Sequence, residues 1–408
     1  MPMNKTKKSV AVIGGGPAAI MLAAHLNENL FDVTIYEKNK APGRKFLVAG
    51  DGGFNLTHSE DIEAFIQRYT PPGFLEKSLL EFTNTDLCEI LKDLGIETFI
   101  GSSKRIFPVK GLKPIDVLNA FLAHLEKKDV KILTGHTWKG WDVNNKLQFD
   151  KITEDTVERI NVKTDITVFS LGGASWKVTG SDGLWANVFS EKGIKTVPFQ
   201  PSNCAYEIKW NEELLKAAEG TPLKNINLSC GDKERSGEVV ITKFGMEGGA
   251  IYALSAPIRK QLDEKEFASI FIDLKPGIAL QQIKDKFSNR GNRSIKKLLV
   301  DRLSLNEAQI ALLKFSLTKE EFTDPVLLAQ SIKKLPLKIT GMGEMDEAIS
   351  TVGGVALREV DENFQLVKLP NTYCIGEMLN WDAPTGGYLL QGCFSMGWYV
   401  AEHLNKLK

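Results

Sequence analysis

The sequence predicts an α/β fold, a doubly wound sheet built from both ends of the chain and interrupted by an insertion, and three observations predict it. Residues 9–37 run strand, glycine turn, helix, strand. Residues 346–408 return to strand, glycine pair and helix. Between 193 and 345 the texture changes, first to short β-like runs and then to a tract rich in Leu, Lys, Gln and Glu.

Each element has a local reason. The apolar run Ser9–Ile13 meets Gly14, Gly15, Gly16 and Pro17, which end one element and open a helix from Pro17 to about Asn29. Asp32–Tyr36 is the second strand, and Glu37 closes it. A glycine-rich loop, Gly43–Glu60, leads into a helical stretch around Asp61–Leu94. Ile115, Leu118, Phe121, Leu122 and Leu125 place one apolar face on a helix over Pro114–Lys127, followed by a short strand Val130–Leu133. Asp165–Leu171 is an apolar strand running into Gly172 and Gly173. Beyond it, β-like runs at Ala205–Ile208, Ile226–Ser229, Glu238–Thr242 and Ile270–Leu274 precede helical spacing from Ile278 to about Ile332. Thr372–Ile375 is the last strand, and Gly386–Gly387 opens a final helix to about Leu404. The expected organisation is a first domain from 1–192 and 346–408, a β-rich insert at 193–275 that returns at 333–345, and a helical subdomain at 276–332.

A chain of 408 residues has room for two to three domains. Lys and Arg total 51 and so do Asp and Glu, an even balance that argues against a dedicated nucleic-acid or membrane-surface binder. Five widely spread cysteines without Cys-x-x-Cys or a histidine cluster read as reduced thiols of a cytoplasmic protein, with no metal centre and no redox disulfide. Any redox chemistry must come from a bound cofactor. Lys5, Lys7 and Lys8 ahead of the uncharged run Val10–Ala24 imitate a signal peptide, but the glycine turn splits that run.

Three motifs carry chemistry. Gly14-x-Gly16-x-x-Ala19 sits between strand and helix, with Glu37 following Gly16 by 21 residues. Gly14 permits the turn, Gly16 lets backbone reach a pyrophosphate, and Pro17 and Ala18 begin the helix whose free N–H groups and positive dipole end suit phosphate. Glu37 accepts from ribose hydroxyls and disfavours a 2′-phosphate, so FAD or NAD is preferred to NADP, and Lys38 lies beside it. In the second motif, Gly43–Asn55, Arg44 and Lys45 can reach pyrophosphate, while Gly50, Gly52 and Gly53 let main chain lie against a flat ring; the alternative is a mobile surface loop. The turn at Gly172 is a further backbone approach. In the third, Glu377 after Gly376 can hold a ribityl hydroxyl, and Asp382, Gly386, Gly387 and Tyr388 lead into a helix start that points its dipole at a flavin's pyrimidine edge. His58, Arg105, Trp381 and Tyr388 are substrate-side candidates, against packing or ion pairing as the plainer reading.

With VAVIGGGPAA, GRKFLVAGDGGFNLTHSE, KRIFPVKG, LGGASW, GEVVITKFGMEGGAIYALS, STVGGVAL and IGEMLNWDAPTGGYLLQG in view, the chain resembles the BaiN-like (aminoacetone oxidase-like) NAD(P)/FAD-dependent oxidoreductases of the glutathione reductase-type flavoprotein superfamily over nearly its whole length. Where many relatives carry Arg-Cys before the loop asparagine, this sequence has Gly53-Phe54 before Asn55, which marks a distinct branch. The resemblance implies a Rossmann-like FAD domain, a β-barrel-like insert, a helical subdomain and small-molecule redox chemistry.

The expectation is therefore an FAD-dependent oxidoreductase exchanging hydride between flavin N5 and a small organic substrate. NAD(P)H, as a transient co-substrate, or dioxygen is the other redox partner, since Gly341-x-Gly343 lacks the rest of a second dinucleotide fingerprint. A tRNA-modifying flavoenzyme and a non-catalytic flavin-binding regulatory protein are the alternatives. No membrane or nucleic-acid partner is expected, and nothing in the sequence addresses oligomeric state.

Overall fold

The computed structural model describes residues 6–48, 54–153, 156–288 and 293–407. The chain divides into two compact units, 1–200 with 350–408, and 201–349.

In the first unit, Lys131–Leu133, Phe31–Tyr36, Lys8–Ile13, Ile166–Phe169 and Thr372–Cys374 form a five-stranded sheet in that spatial order. Every neighbouring pair is parallel. Numbered along the chain the order is 3-2-1-4-5, which reverses beside the first strand and opens a crevice at the carboxyl ends there. Register divides the side chains between two faces. Ile13, Tyr36 and Phe169 share one row. Over it lies an antiparallel meander of His136–Trp141, Leu147–Ile152 and Val157–Val162. Phe149 stacks on Tyr36 at 4.5 Å, and Trp138 meets Phe169 edge-on at 4.7 Å. On the opposite face, Tyr373 approaches His403 of the last helix, Tyr388–Lys406, at 6.0 Å. That helix lies against the first, Pro17–His25, so closely that a Cβ on Gly397 would collide with the Ala18 carbonyl.

Several expectations change. The first helix stops at His25 instead of Asn29, where Lys128 Nζ donates to the Ala24 and Leu26 carbonyls, both at 2.8 Å, and satisfies the helix end. The stretch Asp61–Leu94 is three helices, Ile62–Ile66, Glu76–Glu81 and Asn84–Asp93, because Pro71, Pro72 and Gly73 interrupt it and Thr83 starts a fresh capping box with Asp86. The meander was missed, although Leu147–Ile152 begins buried–half-buried–buried and Asp142 organises the preceding turn through the Asn144 and Lys146 amides.

The second unit holds a seven-stranded sheet in the order Leu335–Ile339, Ala268–Asp273, Pro222–Cys230, Lys233–Thr242, Gly245–Glu247, Tyr206–Glu207, Gly341–Met342. Every strand pair within it is antiparallel. Its two end strands are separated in the chain by Thr340 alone, so the sheet must curl until its ends meet, which is the barrel-like form. Insert and helical tract share one apolar core that joins Leu228 and Ile270 to Leu299, Leu313 and Ile332. Where the texture of the sequence suggested three pieces, 201–349 is one unit, and its joints fall after the expected positions 193 and 346. Among the described residues no helix is long and apolar enough to cross a membrane, and no cluster of His, Cys, Asp or Glu could hold a metal.

Candidate functional site

A cavity of about 360 Å³ opens at the carboxyl ends of the parallel strands in the first unit, where the strand order reverses. Its floor is the glycine turn. Gly14 has φ +96°, and a Cβ there would collide with the Ser170 carbonyl, so only glycine serves. Gly16 is the N-cap of Pro17–His25; no side chain caps that helix, and a Cβ on Gly16 would meet nothing within 4 Å. Open space over uncapped N–H groups at the head of a helix is the form a phosphate cradle requires. The residues present thus fit a dinucleotide.

Glu37 ends the second strand and is 7% exposed. Its Oε2 accepts from the Gly15 amide at 2.8 Å, and Oε1 accepts from the Asn39 amide and Asn39 Nδ2, both at 2.8 Å. A carboxylate offers about two lone-pair sites per oxygen, so the capacity that remains lies on Oε2. Asn39 was not foreseen. Its Nδ2 also donates to the Thr179 carbonyl at 3.2 Å, while its Oδ1 accepts from Arg44 at 3.2 Å. Lys38 Nζ pairs with Asp182 at 2.7 Å.

Arg44 and Lys45 diverge. Arg44 is turned to Asn39, whereas Lys45 Nζ donates to Ser175 Oγ at 2.9 Å and to both oxygens of Glu377 at 3.2 and 3.0 Å. Glu377 Oε1 also accepts from the Thr351 amide at 3.2 Å, and the Ala174 amide donates to Thr351 Oγ1 at 3.1 Å. The basic residue expected at pyrophosphate and the acid expected at a ribityl chain are therefore partners, which join four chain segments at one wall. Cys393 lines the same wall, but burial pushes its thiol up to about 12, so it is no nucleophile at neutral pH.

Of the residues predicted from sequence, Gly14, Gly16, Pro17, Ala18, Glu37, Lys38, Gly43, Arg44, Lys45, Gly172, Gly376 and Glu377 line this cavity together. Gly50, Gly52 and Gly53 lie outside the described residues. Asn55, Asp382, Gly386, Gly387 and Tyr388 are not among the lining residues, nor are His58, Arg105 and Trp381. Trp381 is 1% exposed and its Nε1 donates to the Gly376 carbonyl at 2.9 Å, so it packs beneath the loop instead of facing a ligand. Asp382 is buried, and its backbone pairs with that of Thr70. Gly387 has φ +100° and a Cβ there would lie 2.5 Å from Thr57 Cα, which brings the head of the last helix against the strand Thr57–His58.

Tyr388 belongs to a polar and aromatic cluster. Its hydroxyl donates to Glu60 Oε2 at 2.8 Å, its carbonyl accepts from Tyr69 Oη at 2.6 Å, and His58 stacks on its ring at 5.1 Å. Arg68 forms a two-pronged pair with Glu60, with Nε to Oε2 at 2.9 Å. That pairing, opposed by burial, holds the Glu60 carboxyl below its ordinary range. Burial, with Glu60 adding to it, pushes the Tyr388 phenol up. His58 Nδ1 accepts from the Glu60 amide at 3.0 Å, and burial lowers the basicity of the ring. Arg105 faces His58 across the antiparallel pair and lies beside Gly386. None of these cluster residues, His58, Glu60, Arg68, Tyr69, Arg105 or Tyr388, lines the cavity.

Sequence reasoning also missed Ser175, Thr351 and the segment Thr179–Asp182. The glycines at 172, 173, 180 and 183 were the available signal, because all but Gly173 adopt positive φ and a Cβ on Gly173 would collide with Thr351 Oγ1.

A family model described as HI0933-like protein Rossmann domain matches residues 8–403. The chain is 24% identical to the 3-dehydro-bile acid delta(4,6)-reductase of Clostridium scindens over 96% of this chain and 98% of that one. It is 22% identical to the ribosomal RNA dihydrouridine synthase of Haemophilus influenzae over 97% and 98% of the two chains. A 3-ketosteroid-delta4-(5alpha)-dehydrogenase from Rhodococcus jostii RHA1 has a similar fold, with TM-score 0.50, 12% identity and coverage of 100% and 98%.

Proposed function

The chain belongs to the family of HI0933-like protein Rossmann domains, and from that premise we propose that it is an FAD-dependent oxidoreductase acting on a small organic substrate, with NAD(P)H or dioxygen as the other redox partner. Bound FAD supplies hydride exchange at flavin N5. The chain's own residues bind and orient. The uncapped N–H groups after Gly16 receive the pyrophosphate, Glu37 Oε2 takes a ribose hydroxyl, and the Lys45–Glu377 pair meets the ribityl chain. Lys38 and Arg44 stand at the adenosine end, near Asp182 and Asn39.

The observation that carries this reading is the open space where a Cβ of Gly16 would stand, above a helix head without a cap. The two relatives support an oxidoreductase, since one is named a delta(4,6)-reductase and the other a dihydrouridine synthase. An RNA substrate is the weaker reading. Polyanion binding draws on excess Lys and Arg, and here 51 basic residues face 51 acidic ones.

The test is spectroscopic. The purified protein should be yellow and release FAD, not FMN, on denaturation. Anaerobic NADH or NADPH should bleach the flavin band, and air should restore it. A colourless protein that takes up no FAD sinks the proposal, while a flavin that neither nicotinamide reduces removes NAD(P)H from it.

A further inference from the structure

We infer that the segment Trp176–Gly183 is a strap over the adenosine end of the cavity, latched by Lys38–Asp182 and by Asn39 to the Thr179 carbonyl, and that this latch sets how fast the bound dinucleotide leaves. The inference rests on reading the cavity as an FAD site for its ligand.

Thr179, Gly180, Ser181 and Asp182 line the same cavity as the glycine turn, so a ligand held there borders them. Of the strap's own apolar side chains, Val178 is 73% exposed and Trp176 only half-buried, so little apolar burial holds it down. Within the strap Gly180 and Gly183 sit at φ +100° and +67°, conformations that glycine adopts without the Cβ penalty of other residues. Polar links tie it across to the second strand's end: Lys38 Nζ to Asp182 at 2.7 Å, and Asn39 Nδ2 to the Thr179 carbonyl at 3.2 Å. A Cβ on Gly180 would collide with Asn39 Nδ2, so the glycine is what lets the strap reach its fastening. The same Nδ2 also holds Glu37 Oε1, so Asn39 couples the ribose acceptor to the closed strap and acts as a positioning residue.

The ion pair gives the latch a signature. Its side chains are 32% and 29% exposed, so salt reaches and screens it, whereas the amide link is insensitive to salt. Release of FAD from the holoprotein, followed by the fluorescence of freed flavin after dilution, should speed up by up to about fivefold between roughly 0.05 and 0.5 M NaCl. Asp182→Asn should already release at the fast rate in low salt and respond little to more. Equal rates for both proteins, equally insensitive to salt, would overturn the latch. Hydrogen exchange of the amides of 176–183 supplies a readout that needs no flavin: salt should accelerate it in the wild type, and Asp182→Asn should be fast at both salts. Identical exchange in all four conditions overturns the inference even if the protein binds no FAD. Conversely, a salt-sensitive strap in a protein without FAD would leave the latch standing and defeat only the proposed cofactor.

Discussion

At the residue scale, Glu37 shows how one carboxylate serves two ends. Three protein N–H groups hold it in place, and one side of Oε2 remains for a ligand. Glu37→Ala should therefore weaken FAD binding by about 1 to 3 kcal/mol and also lower thermal stability, because the Gly15 and Asn39 donors lose their acceptor. Glu37→Gln should not rescue it, since its amide group would present hydrogens to donors on one side or the other. Titration of apoprotein with FAD checks both, and wild-type affinity in Glu37→Ala would remove the carboxylate from the binding site. Gly16→Asp addresses the cradle from the opposite direction. The open space accepts the side chain, so the fold should persist with a native circular dichroism spectrum, yet the charge would stand where a pyrophosphate belongs. Normal flavin content in that folded variant would place the phosphates elsewhere.

Between elements, the decisive contacts are ionic pairs that bring distant segments together. Lys45 and Glu377 are 27% and 15% exposed, intermediate between a surface pair and a fully desolvated one. A double-mutant cycle with Lys45→Met and Glu377→Gln should give a coupling of about 1 to 2 kcal/mol in urea unfolding, with Lys45→Met the worse single change because it leaves the more deeply buried carboxylate without its cation. Additive single effects would show the pair to be incidental. Glu60 makes the corresponding link between the helix-rich segment after the glycine loop and the head of the last helix, through Arg68 and Tyr388. Because its native carboxyl titrates below the ordinary value of 4.5, its contribution is present above that pH and fades as pH falls through the depressed native value. The stability advantage of wild type over Glu60→Gln should thus be full at neutral pH and shrink on acidification, and melting curves at stepped pH would show it. An advantage that grows toward acid would contradict the sign.

On the scale of the whole molecule, the first unit is closed by its own C-terminus. Thr372–Cys374 adds the fifth strand, and Tyr388–Lys406 covers a sheet face and packs on the cradle helix. Deleting 370–408 should abolish stable FAD binding although Gly14, Gly16 and Glu37 all remain, and should also expose core around Phe394, Met396 and Val400. Unfolding alone could produce the first effect. The truncated chain should therefore be examined by circular dichroism beside Glu377→Gln, which keeps the whole fold. A truncated protein that still holds FAD would show that the cavity is complete without its C-terminal wall.

The parallel core and the cradle were legible because each depends on neighbours in the chain. Strand, glycine turn, helix and acid follow one another within residues 8–37, and the turn conformation of Gly14 and the uncapped start at Pro17 are local properties. The last strand and helix were legible for the same reason. Which partner each polar side chain takes was not. Lys45 and Glu377 are 332 residues apart, and only the folded sheet, by bringing its carboxyl ends to one edge, makes them a pair. Trp381 and Tyr388 looked available at a cofactor's edge, yet their sequence position says nothing of the Gly376 carbonyl or the Glu60 carboxylate that claims them. The insert divided into two textures in sequence, β-like and helical, but buries one common core, since apolar faces from sheet and helices satisfy one another only in three dimensions. Sequence determined the elements, through backbone preference and periodicity over a few residues. Tertiary structure decided the partnerships, because charge and hydrogen bonding act over ångströms of space whatever the separation along the chain.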